Sequence, residues 1–208
     1  MIDYGMGNRR SVQKALEHTG ATAEITRDPE RIAAADGIVL PGVGAFPRAM
    51  ENLDELGLQE PLRAAAAAQK PLLGICLGMQ LLFDRSEEFE PTVGLGLIPG
   101  TVTPLRAGSL RIPHIGWNEV RFERRSALTA GLRPEGEAFY HVHSLASRPQ
   151  RSEDVLATTE YGERFATIVG HGSVLGVQFH PEKSSGLGLR MLANFAGLCR
   201  GVVPALRT

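Results

Sequence analysis

The chain has 208 residues, 43% hydrophobic and 22% charged, with a formal net charge of -1, so it can bury one full core. That balance gives no electrostatic reason to expect nucleic acid or an anionic membrane as partner. No apolar run of about 18 residues and no charged-then-apolar leader reads as a membrane span or signal peptide, so a cytosolic protein is expected. The two cysteines, Cys76 and Cys199, are too sparse for a disulfide scaffold.

Ile2-Asp3-Tyr4-Gly5 reads as the end of a strand, followed by a helix over residues 8–19. Asp28-Pro29-Glu30 reads as a helix start, with Asp as N-cap and Pro at the first helical position. Gly37-Ile38-Val39-Leu40 is a buried strand ending at Pro41-Gly42-Val43-Gly44, and the alanine-rich stretch 60–69 is a helix packed closely on a sheet. Pro71-Leu72-Leu73-Gly74-Ile75 is the next strand, and an apolar helix run starts at Cys76.

The second half changes character, with short β-type segments at 101–105, 118–122 and 155–159 bounded by turn residues. Residues 165–169 and 174–179 form a hairpin about His171-Gly172-Ser173, and a last helix covers 187–198. The alternation predicts an α/β, flavodoxin-like fold: a mostly parallel central sheet flanked by helices, with additional antiparallel strands in the C-terminal half. One domain over 1–200 and a short tail over 201–208 are expected.

The chemistry centres on Gly74-Ile75-Cys76-Leu77-Gly78. The G-x-C-x-G spacing supplies small residues on both sides of a sharp strand-to-helix turn, the layout of a nucleophile elbow. A thiol there lies at a helix N-terminus, where the macrodipole favours the thiolate. Cys199, in an apolar helix pattern, reads as structural.

A reactive cysteine needs a base. His180 ends a strand and is followed by Pro181-Glu182. In an extended segment residues two apart point to one side, so Glu182 can orient the imidazole and present its other nitrogen to sulfur. The glycine-rich turn Pro41-Gly42-Val43-Gly44 belongs at the same carboxyl edge of the sheet. The backbone amides of Val43 and Leu77 are the candidate oxyanion donors. Gly5-Met6-Gly7-Asn8 is a weak phosphate-loop signal, because Arg10 stands where the third glycine belongs.

Gly74-Ile75-Cys76-Leu77-Gly78-Met79-Gln80 together with His180-Pro181-Glu182 resembles the class I triad glutamine amidotransferases. Ile2-Asp3-Tyr4-Gly5-Met6-Gly7-Asn8, Pro41-Gly42-Val43-Gly44-Ala45-Phe46, Pro113-His114-Ile115-Gly116-Trp117-Asn118-Glu119 and Phe179-His180-Pro181-Glu182-Lys183-Ser184 are similar to the glutaminase subunits of imidazole glycerol phosphate synthase. The resemblance covers nearly the whole chain. It implies glutamine hydrolysis through a Cys76 thioester and transfer of ammonia to a (β/α)₈-barrel cyclase, the two chains forming a heterodimer, with no cofactor and no metal.

Position by position, the resemblance implies that Gly44, Gln80 and Glu88 contact the glutamine ligand, that Ser144 does so through its backbone, and that Asn8, Trp117, Tyr140 and Lys183 lie at the cyclase interface. Two departures stand out. Few apolar residues precede Ile2, and His141 stands where the family more often has an aromatic. His141, His143 and His180 also allow a zinc hydrolase, a reading that leaves Cys76 unexplained. A cysteine peptidase would share the elbow, and a non-enzymatic module would share only the fold.

Overall fold

The computed structural model describes residues 1–202; residues 203–208, most of the expected tail, lie outside the described part. In chain order the elements are α1 (Arg9–His18), α2 (Pro29–Ala34), β1 (Ile38–Gly42), α3 (Phe46–Glu55), α4 (Gln59–Ala67), β2 (Leu72–Cys76), α5 (Leu77–Leu81), β3 (Phe83–Ser86), β4 (Thr92–Val93), β5 (Ile98–Pro104), β6 (His114–Phe122), β7 (Glu137–His143), β8 (Leu145–Pro149), β9 (Val155–Glu160), β10 (Arg164–His171), β11 (Val174–Val177) and α6 (Ser185–Cys199). The strands form one curled sheet in the order β1-β2-β11-β10-β8-β5-β3-β4, from which β9 branches beside β10 and carries β6 and β7.

The fold is α/β with a mixed sheet. Pairing is parallel in β1–β2, β2–β11 and β3–β5, and antiparallel in the remaining named pairs of the C-terminal half. Both β1 and β2 are buried along their whole length, which explains why they read as unbroken apolar runs rather than alternating ones. Odd and even residues feed opposite layers. Ile38, Leu40 and Leu72 pack with Phe46, Leu53 and Leu62 of α3 and α4. Val39, Leu73 and Ile75 pack with Val12 and Leu16 of α1 and Met191 and Phe195 of α6. Burying each such side chain contributes about 1.5–3 kcal/mol, so the sandwich holds the parallel strands firmly between helices.

Several expectations change. Ile2 makes a single parallel bridge to Thr26 and donates its N–H to the Val39 carbonyl, so it extends the sheet past β1 without a strand of its own. The helix α3, not expected from the sequence, is capped from another element: its N-cap position is Ala45, with no side-chain acceptor, and Phe46 N–H donates to Glu88 Oε2 at 2.6 Å. The helix after Cys76 is only five residues long, which confines any dipole effect to a single turn. As expected, Asp28 caps α2 by accepting from Glu30 N–H.

Candidate active site

The register of the parallel strands assembles the site. Gly42 is the partner of Cys76 across β1–β2, and Val177 is the partner of Ile75 across β2–β11. The residues that follow each strand, Val43, Leu77 and Gln178, therefore leave the sheet at one edge, the carboxyl edge where open α/β sheets place their sites.

Cys76 turns the chain with φ 54° and ψ -111°, a conformation costing a β-carbon-bearing residue about 1–3 kcal/mol. Packing forces it. A β-carbon on Gly78 would lie 1.7 Å from the Leu40 carbonyl oxygen, and one on Gly74 would lie 2.6 Å from the Gly78 carbonyl oxygen. The two glycines let the elbow press directly onto β1, and the strain at Cys76 is the cost of that fit. The sulfur lies 3.7 Å from the Val142 carbonyl, to which the thiol can donate, and 3.8 Å from Gln178 Nε2. Gln178 is held in turn by Gln80, whose Nε2 donates to Gln178 Oε1 at 3.0 Å. Gln80 is thus buried behind the sulfur with its amide engaged.

His180 and Glu182 come together, but not through the extended segment expected. Pro181–Lys183 is a 3₁₀ turn, and the turn brings the His180 Nδ1–H to within 2.8 Å of Glu182 Oε1. Both side chains are sealed, at 2% and 0% exposure. Burial alone would lower the His180 pKa, but hydrogen bonding to Cys76 and Glu182 and their negative charge outweigh it and raise it to about 10. Burial would raise the Glu182 pKa, yet the His180 ring and its charge, with the Asn8 amide, hold it below the ordinary carboxylate value. Ser184 locks the turn. Its hydroxyl donates to the His180 carbonyl at 2.7 Å and accepts from Tyr140 N–H at 3.0 Å, while His180 N–H donates to the Tyr140 carbonyl at 2.9 Å.

Of the oxyanion candidates, Leu77 is buried and Val43 is exposed on a turn where Gly44 has φ +115°. Gly44 packs on Met6, and Val43 on Gly7. Glu88 is bound to the start of α3, two residues beyond Gly44, which ties the β3–β4 connection to this turn. Ser144 is exposed between β7 and β8, with its carbonyl accepting from Leu105 N–H at 3.0 Å. Trp117 is 53% exposed and meets Tyr140 edge to face at 6.2 Å, and with Ile112 and Ile115 it forms an apolar outer face around β6. Lys183 is exposed beside the buried Glu182. Asn8, expected only at an interface, donates from Nδ2 to Glu182 Oε1 at 2.6 Å.

Three further histidines, His114 on β6 and His141 and His143 on β7, have ring nitrogens committed elsewhere. His143 Nδ1–H donates to the Leu145 carbonyl, which leaves Nε2 to accept from His114 Nδ1–H at 3.0 Å. His114 Nε2 then accepts from Asn118. His141 bridges the Phe139 carbonyl and Thr167. Burial pulls the His114 pKa down to about 4 and that of His143 to about 3, and lowers that of His141 as well. These rings are neutral structural links. Among the described residues no group of three or more His, Cys, Asp or Glu side chains converges as a metal site. Gln178 and Ser184 were missed as site residues by sequence reasoning. Their only signal is proximity to His180, Gln178 two residues before it and Ser184 at the end of the H-P-E-K-S string.

Comparison with known proteins finds relatives over nearly the whole chain. The family described as glutamine amidotransferase class-I matches residues 1–197. The chain is 54% identical over 200 residues to imidazole glycerol phosphate synthase subunit HisH of Moorella thermoacetica, covering 96% of this chain and 94% of that protein. It is 51% identical over 199 residues to the HisH subunit of Bacillus cereus strain G9842, covering 95% and 93%. Among solved structures, a glutamine amidotransferase superposes with TM-score 0.71 at 23% identity over 94% of this chain and 97% of that one. The glutaminase domain of Trypanosoma brucei CTPS does so with TM-score 0.69 at 19% identity, over 95% and 90%. Below 25% identity these last two speak to the fold alone.

Proposed function

Because this chain belongs to the class-I glutamine amidotransferases, and among them to the HisH subunits of imidazole glycerol phosphate synthase, we propose that it hydrolyses glutamine and delivers the ammonia to a separate (β/α)₈-barrel cyclase subunit in histidine biosynthesis. The observation that carries the reading is the strained elbow cysteine facing a buried His180–Glu182 pair.

In this mechanism the Cys76 sulfur attacks the side-chain amide carbon of glutamine, and the charge developing on the carbonyl oxygen is taken up by the amides of Val43 and Leu77. The C–N bond breaks as the His180 imidazolium gives its proton to the departing nitrogen, which leaves as ammonia and a γ-glutamyl thioester on Cys76. Water then attacks the thioester carbon, its proton passing to His180, and glutamate leaves as the sulfur is restored. Glu182 keeps the imidazole oriented throughout. Gly44, Gln80, Glu88 and the backbone of Ser144 shape the glutamine pocket. Gln80 does so by fixing Gln178 beside the sulfur, and Glu88 by holding the Gly44 turn.

The cyclase docks on the face that carries Trp117, Tyr140 and Lys183, where Ile112, Ile115 and Trp117 expose apolar surface that the described residues leave open. The complex is cytosolic and needs no cofactor or metal on this subunit. The test is a glutaminase assay of the chain alone and with the cyclase and its nucleotide substrate. Feeble hydrolysis alone and strong stimulation in the complex are expected, and full activity without a partner contradicts the coupling.

A further inference from the structure

We propose that Asn8 is a positioning residue for the triad, fixing the Glu182 carboxylate and, through it, the His180 imidazole. This rests on the glutaminase reading above and deepens it.

Asn8 occupies the N-cap position of α1, where an asparagine side chain ordinarily accepts a helix N–H and so stabilises the helix start. Here it makes no such cap bond. Its backbone is left-handed, with φ 72° and ψ 1°, a region that asparagine enters more readily than other residues with a β-carbon. The residue thus forgoes the cap. What it gains is the contact on the other side: Nδ2 donates to Glu182 Oε1 at 2.6 Å and lies 3.5 Å from His180 Nδ1. The start of α1 is itself held, since Arg9 and Arg27 both pair with Asp3.

Glu182 needs this contact. Its side chain is fully buried, and His180 and Asn8 approach the same oxygen, while Oε2 has no hydrogen-bond partner. A carboxylate bonded at one oxygen only can rotate about its terminal torsion, and a second donor on that oxygen removes the freedom. The donor is neutral, so it supports the ionised carboxylate without cancelling the charge that stabilises the imidazolium. An arginine in its place would compete with His180 for that charge. With Nδ1–H fixed on Glu182, Nε2 is the nitrogen left for the sulfur and the leaving group. The other titratable groups acting on His180 are Cys76 on the far side and the neutral His141 and His143 from β7, so Glu182 supplies the orienting charge from this side.

The test uses the full chain in complex with the cyclase, with Asn8→Gly and Asn8→Asp. Glycine keeps the left-handed backbone without strain and removes the amide, while aspartate keeps the shape and turns the donor into an acceptor. We expect kcat for glutamine hydrolysis to fall about 100-fold in both, with KM within about twofold and thermal stability of Asn8→Gly somewhat below that of the parent, since glycine frees the unfolded chain and removes a bond to a buried carboxylate. We also expect the titration of the His180 ring, read by NMR of the histidine side chains, to move to lower pH in Asn8→Gly as the Glu182 carboxylate loses its second donor. Parent-like kcat and His180 titration, or a rise in KM with kcat unchanged, overturn the proposal. A parent complex that does not hydrolyse glutamine overturns the glutaminase reading instead, and the His180 titration then still decides whether Asn8 supports the His180–Glu182 pair.

Discussion

Gly78 lies directly on the backbone of Leu40: a β-carbon there would stand 1.7 Å from the Leu40 carbonyl oxygen and 2.7 Å from its carbonyl carbon. No side-chain rotation relieves a clash with main chain. Gly78→Ala must push α5 off β1 and carry Cys76 with it. The expected cost is about 3 kcal/mol or more, with glutamine hydrolysis lost, read from urea midpoints and a glutaminase assay. Gly186, in the first turn of α6, has nothing within 4 Å of its β position, so Gly186→Ala is expected to stabilise by about 0.5–1 kcal/mol.

The strain at Cys76 predicts an inverted order of variants. In an ordinary element alanine is more stable than glycine, but at φ 54° glycine escapes the penalty. Cys76→Gly should therefore be at least as stable as Cys76→Ala, by about 1 kcal/mol, and both should be inactive. An alanine variant clearly more stable than the glycine one contradicts the strain account. Retained glutamine turnover in either removes Cys76 from the mechanism.

The buried histidines set opposite limits on stability. The folded chain takes up protons at His114, near 4, and at His143, near 3, less readily than the unfolded chain does at about 6.5. Their neutral, bonded forms therefore support the fold above 6.5, and that support is lost as pH falls. His180, raised to about 10, works the other way: its contribution is complete below 6.5 and lost as pH climbs through 10. Urea midpoints should be highest near neutrality. Their acid slope, with His141 included, should approach about 4 kcal/mol per pH unit for three protons. A flat profile between pH 6.5 and 4.5 contradicts the neutral network.

Glu88 predicts a link between stability and the glycine turn. It caps α3 from a distant segment, so Glu88→Ala should cost about 1–2 kcal/mol. By loosening the Gly44 turn it should also raise KM for glutamine in the complex. Unchanged KM with lowered stability assigns Glu88 to the cap alone.

Much of the central sheet was legible because its cause is local. The buried strands Ile38–Gly42 and Leu72–Cys76 read from unbroken apolar runs, and Asp28-Pro29 marked a helix start that the structure keeps. The helix Phe46–Glu55 escaped notice, because its N-terminus is capped by a carboxylate 42 residues away instead of by its own sequence. The His180–Glu182 contact was expected for a different reason. The spacing suggested a strand, whereas a 3₁₀ turn fixed by Ser184 and Tyr140 makes the bond.

The sequence by itself determined the parts whose physics is short-range: the glycines flanking Cys76, the His-Pro-Glu string, the alternating strand and helix runs and the family they resemble. Only the tertiary structure decided what depends on distant chain segments meeting. It set Gly42 and Cys76 in register and placed Gln178 between Gln80 and the sulfur. It also gave Asn8, read from the sequence only as an interface position, a bond to Glu182 across 174 positions of sequence. Hydrogen bonds and close packing act over a few ångströms of space, and no pattern along the chain records which residues the fold will bring within that distance.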